Sequence, residues 1–179
     1  MDRVAFVGSP GSGKSTLAAE VAQLIDGSTI ELDALFHRPG WEPTPTPEFR
    51  AAVLEATTAS ERWASAGNYS IVMDIVHGRA DTIVWLDLPR WLVTLRVIRR
   101  SIGRVVRREE LWNGNREQLR RLLSRDPEHS IVVWTWTQFP KYRDRYQSFL
   151  DGPLWSHADV HRLRSRRDVR HFVESLSAS

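Results

Sequence analysis

The chain has no cysteine. That excludes disulfide staples and thiolate metal sites, and it suits a reducing compartment. Lysine is nearly absent as well: Lys14 and Lys141 are the only two, so the basic side is almost all arginine. No apolar run approaches the roughly 20 residues that span a bilayer. The first residues enter an apolar strand pattern, Arg3-Val4-Ala5-Phe6-Val7, without the longer apolar stretch and cleavage site of a signal peptide. These absences lead to the expectation of a cytoplasmic location and no membrane contact. No internal repeat, low-complexity tract or long linker interrupts the sequence. The six histidines show no ligand spacing.

What is present is ordinary for one globular domain. The 179 residues are 41% hydrophobic and 26% charged, with net charge +3 and pI about 9.8. The arginines concentrate between Arg90 and Arg125 and between Arg162 and Arg170. Such clusters suit nucleic acid. They equally suit polyphosphates, which planar guanidinium groups grip bidentately. Charge alone leaves both open.

Pattern reading gives strands at 3–7, 29–32, 63–66, 82–86 and 159–163. It gives helices at 14–25, from Thr46 as cap to about 60, from Pro89 to about 104, at 116–125, 129–149 and 168–176. Residues 131–134 are also compatible with strand, and 102–115 reads as a polar, arginine-rich segment. Four prolines within Pro39–Pro47 exclude regular helix and central strand there. Ile83-Val84-Trp85-Leu86 is apolar without alternation, as in a strand buried on both faces. Strands alternating with helices imply a three-layer α/β fold, with a five-stranded parallel sheet between helices.

One motif carries chemistry. Gly8-Ser9-Pro10-Gly11-Ser12-Gly13-Lys14-Ser15-Thr16 lies between an apolar strand and an amphipathic helix. That is the context of a phosphate-binding P-loop. Glycines let successive backbone N–H groups converge on phosphate oxygens, and the following helix points its positive end at the same anion. Lys14 should reach the β- and γ-phosphates, and the Ser15 hydroxyl should ligate Mg2+. ATP and Mg2+ are therefore expected ligands, and no other metal is.

A second substrate should lie beyond the carboxyl ends of the strands. Asp33, after the second strand, can orient an acceptor hydroxyl, take its proton or hold a magnesium water; it can also cap the turn that follows. Gly67, Asn68 and Tyr69 follow the third strand and can meet the acceptor or form a plain turn. Arg79 precedes the fourth strand and can clamp an anion or pair with Asp74 or Asp81. Trp41 lies in the proline-rich loop and can stack on an acceptor. Asp87 reads as a helix cap or a Walker B acid. Trp63, Trp85 and Trp91 read as core, and Trp112, Trp134 and Trp136 as helix packing. Arg96 and Arg100 share one helix face. With Arg104, Arg107, Arg108 and Arg116 they can form a lid that stabilises a transferring phosphoryl group.

Together the P-loop, Leu32-Asp33-Ala34-Leu35-Phe36, Pro39-Gly40-Trp41, Gly67-Asn68-Tyr69-Ser70, Arg79-Ala80-Asp81, Trp85-Leu86-Asp87-Leu88-Pro89 and Arg162-Leu163-Arg164-Ser165-Arg166 resemble one group. This is the adenylate-kinase-like P-loop proteins often labelled DNA topology modulation proteins. The resemblance implies the fold of nucleoside-monophosphate and shikimate kinases over residues 1–179, with a lid at about 102–116 and an acceptor-side insertion at about 33–62. It implies ATP as donor, Arg96 and Arg100 as lid-base arginines, and Arg164 and Arg166 in the adenine-contacting loop. Adenylate kinases carry Asp-Gly-Phe-Pro-Arg after strand three, where this chain has Ala66-Gly67-Asn68-Tyr69. The missing acid assigns the magnesium-water role to Asp33, as in shikimate and gluconate kinases, and leaves the acceptor open. Two functions are compatible with this reading. One is an ATP-dependent kinase acting on a small-molecule or nucleotide acceptor, as monomer or homodimer. The other is a nucleotide-dependent regulatory or nucleic-acid-binding protein with weak ATPase activity.

Overall fold

The computed structural model describes residues 1–115 and 130–177. Five strands form one sheet: β1 (Arg3–Gly8), β2 (Ser28–Glu31), β3 (Trp63–Ala66), β4 (Thr82–Leu86) and β5 (Asp159–Leu163). All pairs are parallel, in the order β2-β3-β1-β4-β5. This is the expected three-layer P-loop kinase fold. The strand alternation builds two cores. Ala5, Val7, Ile83 and Trp85 face Phe49, Val53, Val76, Tyr146 and Trp155 on one side. Val4, Phe6, Val84 and Leu86 face Leu17, Val21 and Phe172 on the other.

The helices among the described residues are α1 (Lys14–Leu24), α2 (Leu32–Phe36), α3 (Thr46–Thr58), α4 (Met73–Arg79), α5 (Arg90–Arg107), α6 (Ile131–Leu150) and α7 (Arg166–Ser177). Several bounds depart from expectation. β2 ends at Glu31, and Asp33 stands in the short helix α2 because Leu32 turns into the core at 2% exposure. Thr46 is the first residue of α3 and makes no capping bond; Pro45 occupies the cap position. α5 continues through the supposed polar segment to Arg107, and Arg108 ends it in the left-handed conformation at φ 51°. The expected helix at 116–125 lies outside the described residues.

The stretch 131–134 is helical. Ser130 caps α6 by accepting from the Val133 N–H at 3.4 Å. Pro140 sits inside this helix and has no N–H for the Trp136 carbonyl four residues back. Arg90 Nη2 donates to that carbonyl at 2.5 Å and lies over the Trp136 ring at 3.7 Å. The missing helix bond is thus replaced by one that ties α6 to the start of α5. α7 starts two residues earlier than its pattern suggests. Ser165 and Asp168 bond reciprocally there as a capping box.

Candidate active site

The P-loop connects β1, the central strand, to α1. It doubles back on itself: Lys14 Nζ donates to the carbonyls of Gly8 at 2.9 Å and Ser9 at 3.1 Å. Withdrawal from solvent lowers the Lys14 ammonium to about 8; Asp33 draws it up and Arg100 pushes it down. Gly11 has φ +78°, and a Cβ there would stand 2.4 Å from the Val93 carbonyl oxygen and 2.6 Å from Val97 Cγ2. Only glycine lets the loop lie this close to α5. Arg96 closes the other side, donating from Nη1 to the Ser12 carbonyl at 3.0 Å. Burial, and Arg166 nearby, hold the Arg96 guanidinium below its usual range. Arg166, at the start of α7, therefore lies within electrostatic reach of Arg96 beside the loop.

Two acids face this loop. Ser15 Oγ donates to Glu31 Oε1 at 2.7 Å. Burial raises the Glu31 carboxyl, against the hydrogen bond from Ser15; Asp33, Lys14 and Arg104 act on it more weakly. Asp33 Oδ1 accepts from the Tyr69 hydroxyl at 2.6 Å. Burial, and then the Asp33 charge, push the Tyr69 phenol upward, so Tyr69 is the donor at neutral pH. Glu31 was missed by the pattern reading, which ended β2 one residue too late. The signal is visible in retrospect: Glu31 and Asp33 flank a buried leucine at the end of the strand next to the P-loop strand's partner. The hydroxyl of Ser15 and a carboxylate beside it form the hard-oxygen donor set that suits Mg2+. The enclosed ammonium and glycine loop suit a polyphosphate.

The third-strand residues serve the scaffold. Gly67 has φ +151°, and its missing Cβ leaves room for Leu32, whose Cβ would otherwise be 2.6 Å away. The close neighbour is thus protein, not ligand. Asn68 Nδ2 donates to the Gly8 carbonyl at 2.6 Å, and its Oδ1 accepts from the Tyr146 hydroxyl at 2.9 Å. Asn68 braces the P-loop from α6 and is not turned to an acceptor. Arg79 is displaced farther. It ends α4 just before β4 begins, at the end of the strands opposite the P-loop, and donates to the Thr57 carbonyl at 3.3 Å. It pairs with neither predicted acid: Asp74 binds Arg50 at 2.7 Å, and Asp81 accepts the N–H groups of Asp2 and Arg3.

Asp87 neither caps α5 nor faces the loop. It is buried between Arg162 at 2.6 Å and Arg143 at 3.3 Å, and Arg162 also lies over the Trp85 ring at 4.0 Å. Trp63 and Trp85 are core, as expected, but Trp91 is 64% exposed. Trp134 and Trp136 are also partly exposed on α6.

Trp41 and Trp112 meet outside the acids. The His37 ring lies 5.2 Å from Trp41 and 6.1 Å from Trp112 between centroids, and its Nε2 is 3.4 Å from the Tyr69 hydroxyl. Trp112 is thus not helix packing. It belongs to a turn, Trp112–Gly114, that grips the segment 34–41. Asn113 Nδ2 donates to the carbonyls of Ala34 at 3.2 Å and His37 at 2.5 Å. Asn115 Nδ2 donates to the Arg38 carbonyl at 2.9 Å, and its Oδ1 accepts from the Trp41 N–H at 2.8 Å. Trp41 itself has φ 64°, a left-handed value that these bonds hold. Of the lid arginines, Arg100 and Arg104 act on Lys14 and Glu31 respectively, and Arg104 pairs with Glu109 at 3.8 Å. Arg107 and Arg108 are exposed. Arg116 lies outside the described residues.

No family model matches the chain, and no curated protein matches it. Among solved structures it is similar to a shikimate kinase from Acinetobacter baumannii in complex with shikimate. The two share 16% identity over 98% of this chain and 90% of that one, with a TM-score of 0.55. It is also similar to a deoxyadenosine kinase from M. mycoides with bound dATP, at 12% identity over 97% of this chain and 98% of that one, TM-score 0.53. At these identities the likeness is one of fold. No helix among the described residues is long and apolar enough to cross a membrane.

Proposed function

We propose that the chain is an ATP-dependent phosphotransferase of the adenylate-kinase-like group labelled DNA topology modulation proteins. Residues 1–179 form one P-loop kinase domain in this reading, with the lid at about 102–116 and the acceptor-side insertion at about 33–62. The observation that carries it is the meeting of an enclosed Lys14 with two carboxylates of different surroundings, Glu31 on Ser15 and Asp33 on Tyr69. A simple nucleotide-binding module needs the lysine but not the second acid.

Each group has a role. The loop from Gly8 to Thr16 cradles the phosphates, and Arg164 and Arg166 border the adenine. Ser15, with Glu31 next to it, would hold Mg2+, which neutralises the negative charge on the phosphate oxygens. Asp33 accepts the proton of the acceptor hydroxyl as its oxygen attacks the γ-phosphorus. The bond from that phosphorus to the β–γ bridging oxygen breaks, and ADP leaves. Lys14, Arg96 and Arg100 stabilise the charge on the phosphoryl group in flight. Tyr69 orients Asp33 by its short hydrogen bond.

The test is acceptor-dependent ADP release by purified protein with ATP and Mg2+, across nucleosides, nucleotides, sugars and small hydroxy acids. Release above background hydrolysis with at least one class is the expected result. A flat response across the panel removes the phosphotransferase reading. The regulatory or nucleic-acid-binding alternative draws on the exposed Arg164, Arg166, Arg167 and Arg170 beside and along α7. It requires salt-dependent DNA or RNA binding; the expected result is none at physiological salt.

A further inference from the structure

The ground around Asp33 differs in character from the donor half. Moving outward from Asp33, the side chains are Tyr69, His37, Trp41 and Trp112, each half-buried. His37 and Trp112 lie within 24° of parallel, and Trp41 stands nearly edge-on to both, at 76° and 84°. Phe36 backs Tyr69 at 4.4 Å and Phe49 backs both, so this aromatic wall is continuous with the core. Burial lowers the His37 imidazole, which keeps it neutral at pH 7. Its Nδ1 is enclosed and has no hydrogen-bond partner.

The charge on this side is negative. Asp33 is its acid; Glu31 belongs with Ser15 to the donor half. Among the described residues, the arginines of the insertion and of α4 are committed elsewhere: Arg38 to Glu48, Arg50 to Asp74, Arg62 to Asp2, and Arg79 to the Thr57 carbonyl at the N-terminal end of the strands. Three arginines of α5 serve the donor half: Arg96 on Ser12, Arg100 acting on Lys14, and Arg104 acting on Glu31. Among the described residues, a phosphate or carboxylate on the acceptor would stand beside the like charge of Asp33 with no arginine assigned to it, in a partly desolvated site where repulsion is weakly screened. Flat rings offer the opposite: an uncharged stacking surface.

We infer that the acceptor is an uncharged alcohol bearing a flat ring, stacked on the His37–Trp41–Trp112 cluster with its hydroxyl on Asp33; nucleosides and ring-bearing alcohols without a sugar share this chemistry. The inference rests on the phosphotransferase reading and narrows it. It excludes nucleoside monophosphates and hydroxy acids, the anionic acceptors that a kinase of this fold could otherwise take.

The experiment measures ADP release with ATP and Mg2+ in four arms: nucleosides, uncharged aryl alcohols, nucleoside monophosphates and hydroxy acids. The expected result is turnover in one or both uncharged arms, at least about tenfold above either anionic arm. Which uncharged arm responds tells whether the sugar is read. With the responding compound, Trp41→Leu and Trp112→Leu should raise its KM about tenfold or more, while the ADP Kd stays within about twofold. Trp41→Phe, which keeps a ring, should recover most of the loss. Should the leucine variants fail to fold, His37→Leu provides the second handle: it removes that ring from the cluster, and should raise KM while leaving the ADP Kd unchanged. Turnover confined to an anionic arm overturns the inference and leaves the kinase reading intact. Turnover of an uncharged compound with unchanged KM in all the ring variants overturns the stacking site. Silence in every arm overturns the inference; silence with sugars as well, with ADP still bound, overturns both readings.

Discussion

Lys14 is the residue whose environment makes the sharpest demand. Its ammonium, lowered to about 8 by burial, is half neutral near that pH in the free protein. Bound polyphosphate favours the charged form, so nucleotide binding at pH 8 should be accompanied by proton uptake. Titration calorimetry in buffers of different ionisation enthalpy should read about half a proton taken up at pH 8, and close to none at pH 6. Lys14→Arg, charged throughout this range, should abolish the difference. The lysine was legible from its motif alone. Glu31 was not, because β2 ends one residue earlier than its apolar pattern suggests. Asn68 was misread for another reason: a polar residue after a strand looks the same whether it faces a ligand or the carbonyl of Gly8. Only the fold, by bringing Tyr146 from 78 residues away, distinguishes them.

At the scale of elements, the P-loop and α5 are fitted to one another. Gly11→Ala would put a methyl group into the Val93 carbonyl and require a left-handed alanine. The expected cost is about 3 kcal/mol in urea unfolding. ADP affinity should fall about tenfold or more, because α5 must move with the loop. An equivalent change at Gly40, with open space around it, should leave ADP binding unaltered despite its own positive φ. Helix positions were largely readable from periodicity, but their ends were not. Val105, Val106 and Arg107 extend an arginine-rich helix into a stretch that composition suggested was irregular, and Pro140 sits within a helix. In both places tertiary contacts decide. One example is the Arg90 bond to the carbonyl that Pro140 leaves free.

At the scale of the whole molecule, the five-stranded parallel sheet follows from alternation and the apolar central strands, and was readable. The two-sided burial of Val4 to Val7 and Ile83 to Leu86 admits little else. The order β2-β3-β1-β4-β5 was not readable. What fastens the layers was less visible. His77, buried beneath the sheet, accepts the Trp155 Nε1–H at 3.0 Å. Burial, and then neighbouring His157, lower its imidazole to about 4. A histidine with a depressed value stabilises the fold above its unfolded value near 6.5. That stabilisation is lost as pH falls toward 4, because the unfolded chain binds the proton more readily. The loss should reach at most about 3 kcal/mol. Urea midpoints between pH 7.5 and 5 should fall more steeply for the native chain than for His77→Gln, which keeps an acceptor for Trp155 but does not titrate.

The turn at Trp112–Asn115 joins two stretches about 75 residues apart through side-chain amides on backbone carbonyls. It therefore works as a fastener that can be cut or kept shut from outside. Among the described residues, Arg107 and Arg108, exposed at the end of α5, are the trypsin sites nearest to it in sequence. Asn115→Ala should hasten cleavage there several-fold, with β-sheet content unchanged by circular dichroism. A compound that occupies the aromatic wall should slow cleavage in the native chain and fail to do so in the variant. A protease gel would then report occupancy of the site before its chemistry is known.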